Sequence, residues 1–323
     1  MTESDSPTSR LDLVVLAGGL SAERDVSLRS GGRVAEALRD HGHSVTVRDV
    51  DAGLIPALMD LEPDCVVPVL HGAAGEDGAL RDVLESMRLP YVGSPPDSSR
   101  LAFDKPVAKT LAQRAGLSTP RFMALPHSAF RELGAAAVLT GIIDELQLPL
   151  VVKPTKGGSS LGTAIVHESH EMPPAMVGSF AYGDVALIEQ YVTGTEVAVS
   201  IIDDGSGPRA MPLVEIVPDG GLYNYNARYT AGATEFFVPA RVSQDVRTLA
   251  KDQAIAIHNA LGLRHYSRVD MIIDSAGTPW FLEVNVAPGL TETSLLPQSL
   301  NAAGTDLGTV MDSLVRVAVA AGR

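Results

Sequence analysis

Hydrophobic and polar residues fall in blocks along this chain, and the blocks predict its elements. Leu11–Ala17 is a continuous apolar run closed by Gly18-Gly19, which predicts a buried strand and a tight turn. After the polar segment Ser21–Asp25, apolar positions at Val26, Leu28, Val34 and Leu38 predict an amphipathic helix to about His41. Ser44–Asp49 alternates like a second strand, Asp64–Leu70 reads as a third, and Gly78–Met87 as another helix. Strand–helix–strand alternation with short links predicts an open parallel sheet covered on both faces, an α/β unit over residues 1–100. The turn after the first strand lacks GxGxxG, so no dinucleotide fingerprint is present.

Residues 101–185 predict a helix at Lys105–Ala115, a strand at Arg121–Leu125, a helix rich in Ala and Leu, and a strand at Leu148–Lys153. From Ala186 the pattern turns strand-rich, with Ala186–Glu189, Glu196–Ile202, Pro212–Val217, Ser267–Ile273 and Trp280–Asn285, and Thr309–Ala321 is a closing helix. Borders near 100 and 185 thus divide the 323 residues into segments 1–100, 101–185 and 186–323.

Composition narrows the function. A chain that is 45% hydrophobic and 20% charged has globular proportions. Its net charge of −14 argues against non-specific binding to nucleic acid or anionic membranes, so a phosphate-bearing substrate would need a local basic pocket. One cysteine, Cys65, excludes an internal disulfide and suits a reducing compartment. The polar, acidic start Met1–Arg10 is no signal peptide, and no apolar run reaches the ~18 residues of a membrane helix. A cytoplasmic protein is expected. Of the 25 basic residues only Lys105, Lys109, Lys153, Lys156 and Lys251 are lysine, so a lysine beside a Gly-rich loop is a candidate for a compact, flexible charge.

Five segments carry candidate chemistry. Lys153-Pro-Thr-Lys-Gly-Gly-Ser-Ser-Leu-Gly162 follows a strand and offers backbone amides, two hydroxyls and two lysines, the inventory for cradling a polyphosphate. Gly-Gly-Ser-Ser would serve equally as a flexible hairpin tip. Arg268-Val-Asp270 and Glu283-Val-Asn285 alternate within strands, so their first and third side chains share a face. If those strands are neighbours, Asp270, Glu283 and Asn285 converge as oxygen ligands suited to Mg²⁺, with Arg268 alongside. Glu23 follows the first strand, where open α/β sheets bind ligands, and would hold an ammonium group or simply face its helix dipole. His71-Gly-Ala-Ala-Gly-Glu-Asp-Gly78 follows the third strand at the same edge, with a glycine turn capped by Asp77 as the plainer alternative. Tyr223-Asn-Tyr-Asn-Ala-Arg-Tyr229, flanked by glycines, reads as a lid or as a surface loop.

Taken in order, these segments resemble the D-alanine–D-alanine ligases of the ATP-grasp superfamily, from about Leu11 to the C-terminal helix. The resemblance implies an ATP-grasp fold behind the N-terminal α/β domain. It places ATP between the second and third segments, with Lys105 and Lys153 on its phosphates and Gly158 and Ser160 in the phosphate loop. Glu189 would meet the adenine amino group, Val192 would lie in the hinge, Glu196 would hold the ribose, and Arg228 would stand in the lid. Two Mg²⁺ ions, or Mn²⁺, would sit on Asp270, Glu283 and Asn285, with Glu283 bridging. The first D-alanine would be held by Glu23, tied through Ser159 to Tyr229. Arg268 and the Gly289 amide would stabilise the tetrahedral oxyanion, and His71, Ser294 and Leu295 would contact substrate. The implied reaction is ADP-forming ligation of two D-alanines through an acylphosphate, for cell-wall precursors, by a homodimer joined at its N-terminal domains.

Five positions depart from the resemblance. Arg228 stands where the lid has Lys, Asn224 and Asn226 replace acids, and Lys156-Gly157 replaces Arg-Glu. These bear on lid motion and the second substrate more than on reaction class. A paralogous ligase for other D-amino acids is one alternative. A non-catalytic ATP- or amino-acid-binding regulator is another, which would not need Arg268 together with three metal ligands.

Overall fold

The computed structural model of the protein describes residues 9–220, 223, 227, 228, 230 and 232–322. Its N-terminal sheet is parallel, in the order β2-β1-β3, from β1 (Asp12–Leu16), β2 (Ser44–Arg48) and β3 (Cys65–Pro68). Leu13, Val14, Val15 and Leu16 are all buried, as a parallel strand covered on both faces requires. Helix α1 (Arg24–Asp40) turns inward Ser27, Ser30, Gly31, Val34, Ala35 and Leu38. Leu28, expected on that stripe, is 42% exposed. Small residues line the stripe because helix and strand approach closely: a Cβ on Gly31 would lie 2.3 Å from the Cβ of Ala17. Helices α2 (Leu54–Leu61), α3 (Ala73–Glu76), α4 (Ala79–Ser86) and α5 (Pro96–Phe103) complete this part. Asp77 accepts from the Ala79 N–H at 2.9 Å in a short turn before α4, whose N-cap is Gly78.

The central part runs through α6 (Lys105–Arg114), β4 (Phe122–Pro126), α7 (His127–Leu133), α8 (Ala135–Leu146), β5 (Leu150–Pro154), β6 (Ala164–Val166), α9 (Met172–Phe180) and β7 (Val185–Gln190). Its antiparallel sheet has the order β4-β7-β5-β6. Because β7 pairs with both β4 and β5, this sheet continues past residue 185.

The third sheet, β11-β10-β8-β12-β13 with β9 on the flank of β8, is also antiparallel. Its strands are β8 (Thr195–Ile202), β9 (Arg209–Ala210), β10 (Val214–Pro218), β11 (Thr234–Phe237), β12 (Tyr266–Ile273) and β13 (Pro279–Asn285). The strand-rich expectation misses α10 (Gln244–Ala260), whose buried face is Ala250, Ala254, Ile257 and His258. Two alanines and a histidine give that face little apolar signal. Ser243 starts the helix by accepting from the Val246 N–H. Helix α11 (Leu295–Ala302) was likewise not expected, whereas α12 (Leu307–Ala321) is the closing helix. Met311, Leu314 and Val315 of α12 share one core with Val15, Val34 and Leu38, so the chain's end returns to the N-terminal sheet. A second core packs α6 and α10 on β8, β12 and β13, and a third lies under the central sheet. Among the described residues no helix is long and apolar enough to cross a membrane.

Candidate active site

Local chemistry sets the loops that carry the site. After β1 the chain is pinned by Ser27, whose Oγ accepts from the Gly18 N–H at 2.8 Å and donates to the Val69 carbonyl at 2.5 Å. That ties the ends of β1 and β3 together and fixes Glu23 at the start of α1. The loop after β5 holds Gly157, Ser159 and Ser160 at φ of 113°, 54° and 55°. Two serines in the left-handed region cost on the order of 1–2 kcal/mol each. Their side chains offset that strain: Ser159 Oγ donates to Glu23 Oε1, and Ser160 Oγ donates to the Tyr223 carbonyl at 3.0 Å. Arg228 donates to the same carbonyl at 3.2 Å and stacks on the Tyr223 ring at 4.3 Å.

Between the central and third sheets lies a cavity of about 450 Å³, lined by Lys105, Lys153, Gly158, Ser160, Glu189, Val192, Glu196, Arg228, Asp270 and Glu283 among others. Its apolar lining includes Val151 and Ile165 from the central sheet and Ile216, Ile272 and Leu282 from the third. In the same lining Glu189 is paired with Lys153 at 2.5 Å, and Lys109 meets it at 2.7 Å. Burial pushes a carboxyl up, but the two lysines outweigh it and hold Glu189 below its ordinary range. Glu196 is pushed up to about 7 by burial, with Arg228 opposing and Asp270 and Glu283 adding to the rise. Lys105 Nζ donates to the Gly157 carbonyl at 2.7 Å and stands 3.3 Å from Glu283.

Beyond Lys105 a second, smaller cavity of about 60 Å³ is walled by Glu23, His71, Glu76, Ser159, Arg268, Asn285 and Gly289 among others. His71 Nδ1 lies 2.8 Å from the Ala287 carbonyl, which only accepts, so Nδ1 carries the proton. Nε2, 3.5 Å from Ser30 Oγ, is then the acceptor. Burial pushes the His71 pKa down, so the ring is neutral. Ser30 Oγ also accepts from the Leu290 N–H at 3.2 Å, which joins α1 to the loop after β13. Arg268 grips Asp270 through Nε and Nη2, both at 2.7 Å. Burial would lower the guanidinium pKa, but Asp270 reverses this and raises it.

The β12–β13 register sets Arg268 opposite Asn285 and Asp270 opposite Glu283, so the two triplets do meet. Two carboxylates and an amide oxygen form a hard donor set that suits Mg²⁺. Among the described residues no three His, Cys, Asp or Glu gather as a ready metal site. Burial would push Glu283 up, but Lys105, Lys153, Arg228 and Arg268 bring it down to about 2. Asn285 Oδ1 accepts from the Ala287 N–H at 2.8 Å, which orients the amide.

A family profile described as "D-ala D-ala ligase C-terminus" matches residues 111–316. The D-alanine–D-alanine ligase of Pelotomaculum thermopropionicum is 38% identical over 96% of this chain and 97% of its own. The chain belongs to the D-alanine–D-alanine ligase family. Two solved structures agree in fold. The Bacillus anthracis D-alanine–D-alanine ligase complexed with ATP has a TM-score of 0.81 and 28% identity, covering 97% of this chain and 98% of its own. The VanG D-Ala:D-Ser ligase of Enterococcus faecalis has a TM-score of 0.83 and 26% identity, covering 96% of this chain and all of its own.

Against the family's implied site, the structure groups most of the expected residues and parts a few. The eight residues expected around ATP all line the large cavity. Lys153 and Glu189, expected at opposite ends of a nucleotide, are paired with each other. Ser294 and Leu295 are not among the lining residues of the small cavity: Ser294 Oγ bonds Thr291, and Leu295 is buried at the start of α11. Tyr229, Asn224 and Asn226 lie outside the described residues, so of the expected Glu23–Ser159–Tyr229 chain only the first link is described. Sequence reasoning missed Glu76 and Lys109. Glu76, buried in the small cavity, accepts from the Gly72 N–H at 2.9 Å and is pushed up to about 8 by burial and then by Glu23. Its signal was an acid inside a glycine-rich segment read as a turn. The signal for Lys109 was its place one helical turn after Lys105.

Proposed function

We propose that this chain joins two D-alanines into D-alanyl-D-alanine with hydrolysis of ATP to ADP and phosphate, supplying a peptidoglycan precursor. One observation carries this reading: a nucleotide-sized cavity meets a small polar one, and both share Lys105, Gly157, Gly158, Arg228 and Glu283. A phosphate donor in the first and a carboxylate acceptor in the second would meet at those residues. The family membership and a relative solved with ATP support the nucleotide.

The residues divide the work as follows. Glu23 holds the first ammonium group and so aims that D-alanine's carboxylate at the terminal phosphorus. Lys105 and Lys153 bind the phosphates, and Ser160 and Arg228 close over them. Carboxylate attack gives an acylphosphate and releases ADP. The amine of the second D-alanine then attacks the acyl carbon, and phosphate leaves. Arg268, locked by Asp270, stands with Gly289 beside that carbon to stabilise the oxyanion, a role worth about 3–4 kcal/mol per donor. Neutral His71 ties the wall of this pocket to α1. Asp270, Glu283 and Asn285 would hold Mg²⁺, which when bound offsets phosphate charge.

We also place the protein in the cytoplasm as a homodimer. In support of the dimer, Ile55, Met59 and Leu61 of α2 in the N-terminal part are 46%, 66% and 43% exposed. The likeness to a D-Ala:D-Ser ligase makes the second substrate the point to measure. Mass spectrometry of products from ATP, Mg²⁺ and a panel of D-amino acids tests the reading. Homodimeric D-alanine product is expected, and a mixed dipeptide as main product would move the chain to a paralogous ligase.

A further inference from the structure

One lysine of the site has no part in that mechanism. Lys109 follows Lys105 by one turn of α6, and its side chain is 0% exposed. Its Nζ lies 2.7 Å from Glu189 Oε2, while Lys153 Nζ lies 2.5 Å from Oε1. Glu189 and Lys153 line the large cavity, and Lys109 is not among its lining residues. It therefore reaches the carboxylate from the protein side, under Phe122, whose ring its ammonium faces at 5.5 Å. Phe122 is the cross-strand partner of Glu189.

A buried acid between two lysines is over-supplied unless one lysine has another task. Lys153 has one, since it lines the cavity and the proposed function places it on the phosphates. When a triphosphate takes the Lys153 ammonium, a Glu189 balanced by Lys153 alone would be stripped of its counter-charge. A buried carboxyl in that position takes up a proton. The proton matters for recognition. The apolar lining between the two sheets suits a flat ring, and Glu189 lies in the same lining. A carboxylate accepts from the 6-amino group of adenine and repels the 6-oxo group of hypoxanthine or guanine. A protonated carboxyl donates to the 6-oxo group instead.

We propose that Lys109 is a positioning residue for purine specificity: it keeps Glu189 ionised, with Oε1 turned to the cavity, so that the site takes 6-amino and rejects 6-oxo nucleotides. The proposal rests on reading the large cavity as the nucleotide site. Its logic is that of a site whose selectivity comes from a polar group the wrong ligand leaves badly paired.

The test compares the dissociation constants of ATP and inosine triphosphate, by calorimetry, for the wild type, Lys109→Met, Glu189→Gln and the double variant. Methionine keeps the length of the buried chain without its charge. The expected result is a preference for ATP that falls about tenfold or more in Lys109→Met. Turnover at saturating ATP should stay near wild type, because Lys109 touches no reacting group. Adding Lys109→Met to Glu189→Gln should leave the ATP preference of Glu189→Gln unchanged, since the lysine acts through the acid. The double variant also removes both members of the buried pair, and so can be read even if Lys109→Met folds poorly. A wild-type ATP preference in Lys109→Met, or a further change on adding it to Glu189→Gln, overturns the proposal. Binding of ATP without dipeptide formation by the wild type would count against the ligase reading alone, because the preference is read from binding.

Discussion

Replacing Asp270 by asparagine tests how one residue serves two masters. Its carboxylate takes two charge-assisted bonds from Arg268, each 2.7 Å long, and both side chains are nearly buried, at 8% and 9% exposure. Asparagine keeps the shape but loses the charge, and its amide nitrogen faces a guanidinium donor. Breaking one side of a buried pair costs about 3–5 kcal/mol, since the remaining charge is left uncompensated. Asp270→Asn should therefore lower the unfolding midpoint in urea as well as turnover. Turnover should fall at least about a hundredfold, the scale for losing one well-placed oxyanion donor, because Arg268 loses its anchor. Arg268→Met removes the other side, and the double variant removes the mismatch. The pair should be coupled by about 1–3 kcal/mol, so the double variant is more stable than the sum of the singles predicts. A Mg²⁺ titration of ADP release separates the two roles. Asp270→Asn should need more Mg²⁺ for half activation, whereas Arg268→Met should lose rate at an unchanged Mg²⁺ requirement. Strictly additive stabilities, or an unchanged Mg²⁺ midpoint in Asp270→Asn, would refute the reasoning.

Three further perturbations follow from single contacts. Glu76, raised from 4.5 to about 8, keeps its proton in the folded chain where the unfolded chain has lost it. Its contribution is complete below about 4.5 and is lost as pH rises to about 8, so wild-type stability should fall across that window and Glu76→Gln should flatten the slope in pH-dependent melts. A Cβ on Gly158 would come 3.2 Å from Glu23 Oε1. Gly158→Ala should raise KM for the first D-alanine with little change for ATP, and equal rises for both would place the damage in the loop as a whole. Ser30→Ala leaves the Leu290 N–H and His71 Nε2 without their common partner, so a stability loss of about 1–3 kcal/mol is expected in denaturant titration. No loss would show that the tie between α1 and the loop after β13 is slack.

What the chain disclosed in advance depended on how local each feature is. The parallel sheet was legible because Leu13–Leu16 and Cys65–Pro68 are continuous apolar runs, which only a doubly covered strand tolerates. Helix α10 was not, because it packs through Ala250 and Ala254, which carry almost no apolar signal. Leu28 misled for the converse reason: the inward stripe of α1 belongs to Ser27, Ser30 and Gly31, where close approach outranks hydrophobicity. At the site, alternation showed that Asp270 shares a face with Arg268 and Glu283 with Asn285. The register that brings the two faces together is a non-local choice, and no spacing along the chain encodes it. The Lys153–Glu189 contact is equally non-local, since it comes from β5 pairing with β7.

That contact also explains how a chain of net charge −14 would carry the proposed phosphate site. Four of its five lysines stand at or behind the large cavity, and each meets an acid: Lys105 meets Glu283, Lys109 and Lys153 meet Glu189, and Lys156 approaches Asp104 at 3.7 Å. Arg268 and Asp270 make the same kind of pair in the small cavity. Burial alone would push Glu189 up, and Lys109 and Lys153 hold it down instead. In the proposed function an arriving polyphosphate exchanges partners with Lys105 and Lys153, which trade a carboxylate for a phosphate oxygen. Glu283 is the acid such an exchange releases, whereas Glu189 stays held because Lys109 pairs with it from behind. The difference between those acids follows from one extra turn of α6.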